Sequence, residues 1–276
     1  MEILKAALSG IIQGLTEFLP VSSSGHLALF VNIFNFDIDG DFLLFALILH
    51  LGTLLAVFIA YFNDIKELFK AFLTLIKKIV TGRFIYKNLE LYERFVILIF
   101  IATVPLVIGA FIDSKIEALA DNSKLIGIFL VINAVILYCS DKIKTKNITA
   151  KNASVKNAVF VGLAQLIAVV PGISRSGATI TGGLINGFNR AFAVKFSLIM
   201  SIPAILGASV FHIADFIKSG AEVTGRMFST SIIGFVFSFI FGFAAIIFIR
   251  IIAENRRFWV FSIWCVIMGL IAFIFG

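Results

Sequence analysis

Residues 229–249 read STSIIGFVFSFIFGFAAIIFI, without one charged side chain. A helix this apolar on every side is either the centre of a large core or a membrane span. Comparable runs recur at 42–62, 94–112, 125–140, 194–214 and 258–275, the one at 125–140 being short. Each approaches the ~20 residues a helix needs to cross ~30 Å of hydrocarbon. With 60% of 276 residues hydrophobic and 14% charged, the chain has too little polar surface for a soluble domain of its length. Backbone groups in hydrocarbon must be satisfied internally, and the runs lack period-two alternation, which excludes a β-barrel. The expected fold is an all-α integral membrane protein with six transmembrane helices.

Two further regions, 3–35 and 158–187, are apolar but interrupted, each as two pieces too short to span alone. Irregular backbone at membrane depth is tolerated only inside protein or beside a water-filled cavity, so both are expected to be re-entrant helical hairpins. Residues 63–93 mix Lys66, Lys70, Lys77 and Lys78 with apolar residues at helical spacing, the pattern of an interfacial amphipathic helix. Seven basic residues fall in 63–94, five in 141–157, and Arg250, Arg256 and Arg257 in 250–258, so these loops are expected on the cytoplasmic side. The connections at 37–41, 113–124 and 215–227 are poorer in Lys and Arg. The count of spans closes only if each hairpin returns to the side it entered from. Region 3–35 then enters from outside and region 158–187 from inside, with both termini and the opening of the site periplasmic.

The formal charge of +7 comes from these loops, not from basic residues interleaved with aromatics, so no nucleic-acid partner is expected. Cys139 and Cys265 both lie in apolar segments and suggest neither a disulfide framework nor a thiolate metal site. The N-terminal stretch lacks a strongly basic start and a small-residue cleavage site, and is read as mature structure.

At an offset of 152, Ala6, Gly10, Gln13, Ser22, Ser24 and Gly25 meet Ala158, Gly162, Gln165, Ser174, Ser176 and Gly177. Half 1 (1–140) and half 2 (155–276) of a single membrane domain would each be one hairpin and three spans. An odd number of crossings inverts the second half, and inverted repeats with broken helices place a polar site at their interface near the midplane.

The hairpin loops, EFLPVSSSGHL at 17–27 and PGISRSGAT at 171–179, carry the chemistry. In each, Ser and Gly precede a new apolar run, so each ends at a helix N-terminus, where N–H groups and the dipole favour anions. Arg175 costs roughly 2.5–3.5 kcal/mol to insert and so marks function or a specific partner. Its fork suits phosphate oxygens; an ion pair with Glu17 that pins the hairpins together is the structural alternative. Glu17, four residues after Gln13, shares its helix face and could present oxygens to a divalent cation, or be buried against a serine hydroxyl. His26, close to Ser22, Ser23 and Ser24, could manage a proton for a nucleophilic hydroxyl or cap the helix. His50 and His212 lie in spans without ligand neighbours, so zinc is not expected. Gly10 with Gly14, and Gly183 with Gly187, are read as close-packing positions.

At QGLTEFLPVSSSGHL and PGISRSGAT the chain resembles the bacterial undecaprenyl-diphosphate phosphatase family of the bacitracin-resistance type, in segment order and length over nearly its whole extent. The resemblance implies an inner-membrane hydrolase that removes the terminal phosphate of the C55 isoprenyl diphosphate, recycling the lipid carrier of cell-wall synthesis. It implies Glu17, Ser23, His26 and Arg175 as catalytic, with Ser23 the nucleophile unless water attacks directly. Ser22, Ser24, Ser174, Ser176 and Thr179 would bind substrate, and Gln13 and Glu17 would hold Mg²⁺ or Ca²⁺. Gln13 stands where many members carry Glu, which weakens a two-carboxylate metal site, and Ser24 where Thr is common. Membrane lipid and a second copy of the chain are the other expected partners. A secondary transporter or lipid flippase is the alternative from another class, since inverted repeats also describe transporters.

Overall fold

The computed structural model describes residues 2–34, 42–110, 119, 122–219 and 225–275. These are helical apart from turns and an isolated bridge between Ile148 and Phe188. In the first half α1 (Glu2–Phe18), α2 (Ser23–Phe34), α3 (Phe42–Ala60), α4 (Phe62–Val80), α5 (Leu91–Thr103), α6 (Pro105–Ala110) and α7 (Ser123–Ser140) follow one another. The second half holds α8 (Val155–Ile167), α9 (Arg175–Ile185), α10 (Arg190–Ser219), α11 (Gly225–Glu254) and α12 (Trp259–Phe275).

Helices occupy the described residues of all six runs, of which residues 111–112 lie outside that description. Among the described residues four stretches are long and apolar enough to cross alone: Leu91–Gly109, Ser123–Ser140, Arg190–Lys218 and Met227–Glu254. A fifth appears if α3 and α4 are counted together, a pair bent by 90°. α12, at 17 residues, measures about 26 Å, a little short of the hydrocarbon thickness. The interrupted regions are two pairs of short helices, α1 with α2 and α8 with α9. The connections at 37–41, 113–124 and 215–227 lie wholly or partly outside the described residues.

The bend after α3 explains the mixed 63–93 segment. α4 buries Leu68, Ala71 and Leu75 while Phe69, Leu73, Ile76 and Ile79 stay exposed beside its lysines. Such a helix suits the headgroup boundary, with lysine stems over apolar surface and their charged tips in water.

α1 packs on α11 and α3 on α11, while α7 packs on α12. Lipid is as apolar as a protein core, so close van der Waals approach at small residues must hold helices together. Gly10 and Gly14 do this for α1. A Cβ on Gly14 would lie 2.7 Å from the Ser238 carbonyl oxygen and 2.8 Å from the Gly242 nitrogen. Gly14→Leu should therefore destabilise by about 1–3 kcal/mol or more, read as a lowered Tm in detergent; an unchanged Tm would refute this contact. The second glycine pair divides. Gly183 packs against Phe188, whereas Gly187 turns the chain at φ +89 after α9 and is not a helix-packing residue.

Candidate active site

Both hairpin breaks follow from local chemistry. α1 stops at Phe18 because Leu19 precedes Pro20, and a residue before proline is pushed out of the helical region. Ser22 then takes φ +74, an uncommon left-handed conformation for serine, and its Oγ accepts the Gly25 N–H at 3.3 Å to start α2. In the second break, Pro171 and Gly172 (φ +99) turn the chain, and Ser174 Oγ accepts the Gly177 N–H at 3.1 Å to start α9. The two caps stand 152 residues apart. So do the flanking hydroxyl contacts, Ser22 to Ser24 at 3.5 Å and Ser174 to Ser176 at 3.1 Å.

The loops also bond to each other. Ser22 Oγ accepts the Gly172 N–H at 3.1 Å, and Ser176 Oγ donates to the Leu19 carbonyl at 3.3 Å. Asn133, wholly buried on α7, joins both: its Nδ2 donates to Pro20 O at 2.8 Å and its Oδ1 accepts the Ser174 N–H at 3.1 Å. A loop with its polar groups satisfied in this way can sit inside the bundle without water.

Arg175, first residue of α9, thereby reaches Glu17, last but one of α1, and donates Nη2 to its Oε1. The other carboxylate oxygen, Oε2, accepts from Ser23 Oγ at 2.8 Å and Gln13 Nε2 at 2.9 Å. His50 of α3 brings Nε2 to 3.6 Å from the same oxygen, while its Nδ1 donates to the Ala46 carbonyl at 2.8 Å. Above them opens a cavity of about 240 Å³ whose polar lining is Glu17, Ser23, His50, Arg175, Ser209 and His212. Ala204 and Ala208 of α10 leave room there. Beside them Pro203 lies inside the continuous helix, where it has no N–H to donate to the carbonyl of Ile199. One guanidinium, two imidazoles and two hydroxyls lining a cavity with a carboxylate can bind a phosphate end and place a hydroxyl against it.

The family model described as bacitracin resistance protein BacA matches residues 6–271 of this chain. The chain belongs to that family. It is similar to undecaprenyl-diphosphatases from Alkaliphilus metalliredigens (39% identical, covering 100% of this chain and 99% of the relative) and Methanosphaera stadtmanae (38%; 99% and 98%). A third, from Thermosipho melanesiensis, is 37% identical over 97% of each chain.

Within this family member, Glu17, Ser23 and Arg175 meet as the motifs suggest, and other expected residues are placed differently. Ser22, Ser174, Ser176 and Thr179, expected to contact substrate, are buried and do not line the cavity. The three serines lock the loops, and Thr179 Oγ pairs with Ser197 Oγ at 2.7 Å. Ser24 is exposed but is likewise outside the cavity lining. His26 donates Nδ1 to the Ser22 carbonyl at 2.8 Å and accepts the Trp264 indole N–H on Nε2 at 2.8 Å, the two rings nearly coplanar at 9°. A carbonyl only accepts and an indole only donates, so this imidazole is neutral with both nitrogens engaged. The Ser23 hydroxyl points instead to Glu17.

For a cation, no group of three or more His, Cys, Asp or Glu that could hold a metal occurs among the described residues. The donors present are the Glu17 carboxylate and Gln13 Oε1, which is buried with no hydrogen-bond partner. Two hard oxygens fit Mg²⁺ or Ca²⁺ only as a shared site completed by ligand oxygens.

Along the chain His50 and His212 stand without zinc-ligand neighbours, and nothing adjacent to them points to the cavity they line. A polar side chain inside a span was the available signal for a site residue. Asn133 offered the same signal and was missed.

Proposed function

We infer that the protein hydrolyses undecaprenyl diphosphate to undecaprenyl phosphate and inorganic phosphate, regenerating the lipid carrier for cell-wall polymers, with bacitracin resistance as a consequence. The observation that carries this reading is the convergence of Arg175 and Ser23 on Glu17 at one cavity. The activity named for its full-length relatives agrees.

In the proposed reaction Arg175 leaves its pairing with Glu17 in part to clamp the terminal phosphate, and His50 and His212 face the same oxygens. Ser23 Oγ gives its proton to Glu17 and attacks the terminal phosphorus. The bond to the bridging oxygen breaks, and undecaprenyl phosphate departs with that oxygen. Water then cleaves the phosphoserine and releases inorganic phosphate. Positioning and charge stabilisation supply most of the rate in such transfers. When bound, Mg²⁺ or Ca²⁺ would neutralise phosphate charge, with Glu17 and Gln13 Oε1 as the protein donors. His26 acts as a positioning residue, holding the Ser22 turn that aims Ser23.

The finer topology belongs to the same proposal: six spans, two re-entrant hairpins and an inverted repeat of halves 1–140 and 155–276 in the cytoplasmic membrane. The matching serine caps at offset 152 support the repeat. The Lys and Arg distribution supports a periplasmic site and periplasmic termini.

The test uses purified protein in detergent, where no compartments exist and a transporter would do nothing. Phosphate release from a long-chain isoprenyl diphosphate is expected; none would refute hydrolysis. With labelled terminal phosphate, quenched wild type should carry label and Ser23→Ala should carry none. Label retained on the variant would move the nucleophile elsewhere.

A further inference from the structure

A second cavity lies at the other end of the helix pair that walls the first. α3 and α10 contact the active cavity through residues 46–50 and 204–212. Where α3 ends at Ala60 and α10 begins with Ala191, Val194 and Lys195, they border a cavity of about 320 Å³. At 1.5 Å per residue the two are roughly 15–20 Å apart along the helices. The polar lining of the second cavity is Tyr61, Asp64, Lys195, Arg250 and Glu254, two cations and two carboxylates.

Asp64 is already satisfied: it accepts from Lys195 Nζ at 2.5 Å and Tyr92 OH at 3.1 Å. Arg250 and Glu254 are not paired with each other. They stand four residues apart on α11, the spacing at which opposite charges ordinarily meet. Arg250 instead lies over the Tyr61 ring, 4.2 Å from its centroid, and donates Nε to Tyr61 OH at 3.1 Å and Nη2 to Ala60 O at 3.4 Å. Glu254 is exposed and forms no ion pair with a described residue. The two residues share one helix face, with Cβ atoms about 5–6 Å apart, yet their charged groups form no ion pair and both line the cavity.

An anion alone would meet Asp64 and Glu254, and a cation alone Lys195 and Arg250. A ligand carrying phosphate and ammonium a few ångströms apart complements both. The depth also fits. Arg250 closes the apolar run of α11, and amphipathic α4 departs from Tyr61 beside the cavity. Exposed Ile247 and Ile251 on α11 offer a wall for acyl chains.

We propose that this cavity is a binding site for a zwitterionic phospholipid headgroup, with the phosphate on Arg250 and Lys195 and the ammonium on Glu254. It is separate from the active cavity and shares no residue with it. Basic pockets between helices at the membrane surface are suited to lipid phosphates, and here the added carboxylate selects for the amine.

Native mass spectrometry of the full-length protein in detergent, titrated separately with phosphatidylethanolamine, phosphatidylglycerol and inorganic phosphate, tests this. Wild type should retain one phosphatidylethanolamine under conditions that strip the other two. Arg250→Gln should lose it. Glu254→Gln should lower its affinity about tenfold, equivalent to ~1.4 kcal/mol, and narrow the preference over phosphatidylglycerol. Phosphate release from isoprenyl diphosphate should persist in both variants. Equal retention of phosphatidylglycerol or inorganic phosphate by wild type, or undiminished phosphatidylethanolamine on Arg250→Gln, would overturn the proposal. Should Arg250→Gln fail to fold, exposed Glu254 decides alone, and an unchanged lipid preference in Glu254→Gln overturns it.

Discussion

Replacing Arg175 by alanine is expected to lower turnover of isoprenyl diphosphate by at least 10²–10³-fold, the usual effect of removing one charge-stabilising group from a phosphoryl or acyl transfer site. Among the described residues Arg175 is the only arginine or lysine paired with Glu17, and it lines the cavity together with the His50 ring. The Glu17 side chain is 3% exposed, so the same substitution strands a buried carboxylate, a loss of about 3–5 kcal/mol when one member of a buried pair is removed. Arg175→Lys separates the two effects. It restores a positive charge for Glu17, so thermal stability should recover toward wild type, while turnover stays low because an ammonium lacks the guanidinium fork. Near-normal turnover in Arg175→Ala would sink the assignment, and full activity in Arg175→Lys would remove the argument from bidentate geometry.

Asn133→Leu should be the most damaging change outside the cavity. It keeps the branched shape of the side chain but removes both bonds that Asn133 makes to the loops, to Pro20 O and from Ser174 N–H. Each backbone group left unsatisfied in the interior costs about 1–3 kcal/mol, so Tm in detergent should fall clearly. Turnover of the folded fraction should drop about 100-fold, because a misplacement near 1 Å of reacting groups has that effect. Wild-type Tm with wild-type turnover would show that the loops hold their geometry without this bridge.

The elements were legible wherever the deciding physics is local. Apolar runs mark the long helices, and the breaks before Pro20 and at Pro171–Gly172 divide each interrupted region into two short helices, because proline and glycine act on their own backbone. The caps at Ser22 and Ser174 follow from hydroxyls three residues ahead of a glycine N–H. The pairing of Glu17 with Arg175 was one of two readings for that arginine, and both groups do meet at a cavity.

Roles within the motifs were less legible, since adjacent serines are chemically alike. Ser23 points to Glu17 while Ser22, one position earlier, points to Gly172, and the difference is the left-handed φ of Ser22. His26 looked nearest to the serines along the chain. The same turn directs its ring to Trp264, 238 residues away, whereas His50 reaches Glu17 from another helix.

By itself the sequence determined the helical membrane class, the two pairs of short broken helices and the motif residues, because run length, proline position and cap chemistry depend on neighbours along the chain. Only the tertiary structure decided which side chains share a cavity. In a bilayer the lipid-facing and core-facing sides of a helix are equally apolar, so hydropathy does not say which face turns inward. Close approaches such as Gly14 against Ser238 set that rotation, and with it the meeting of His50, Arg175 and Ser23 around Glu17.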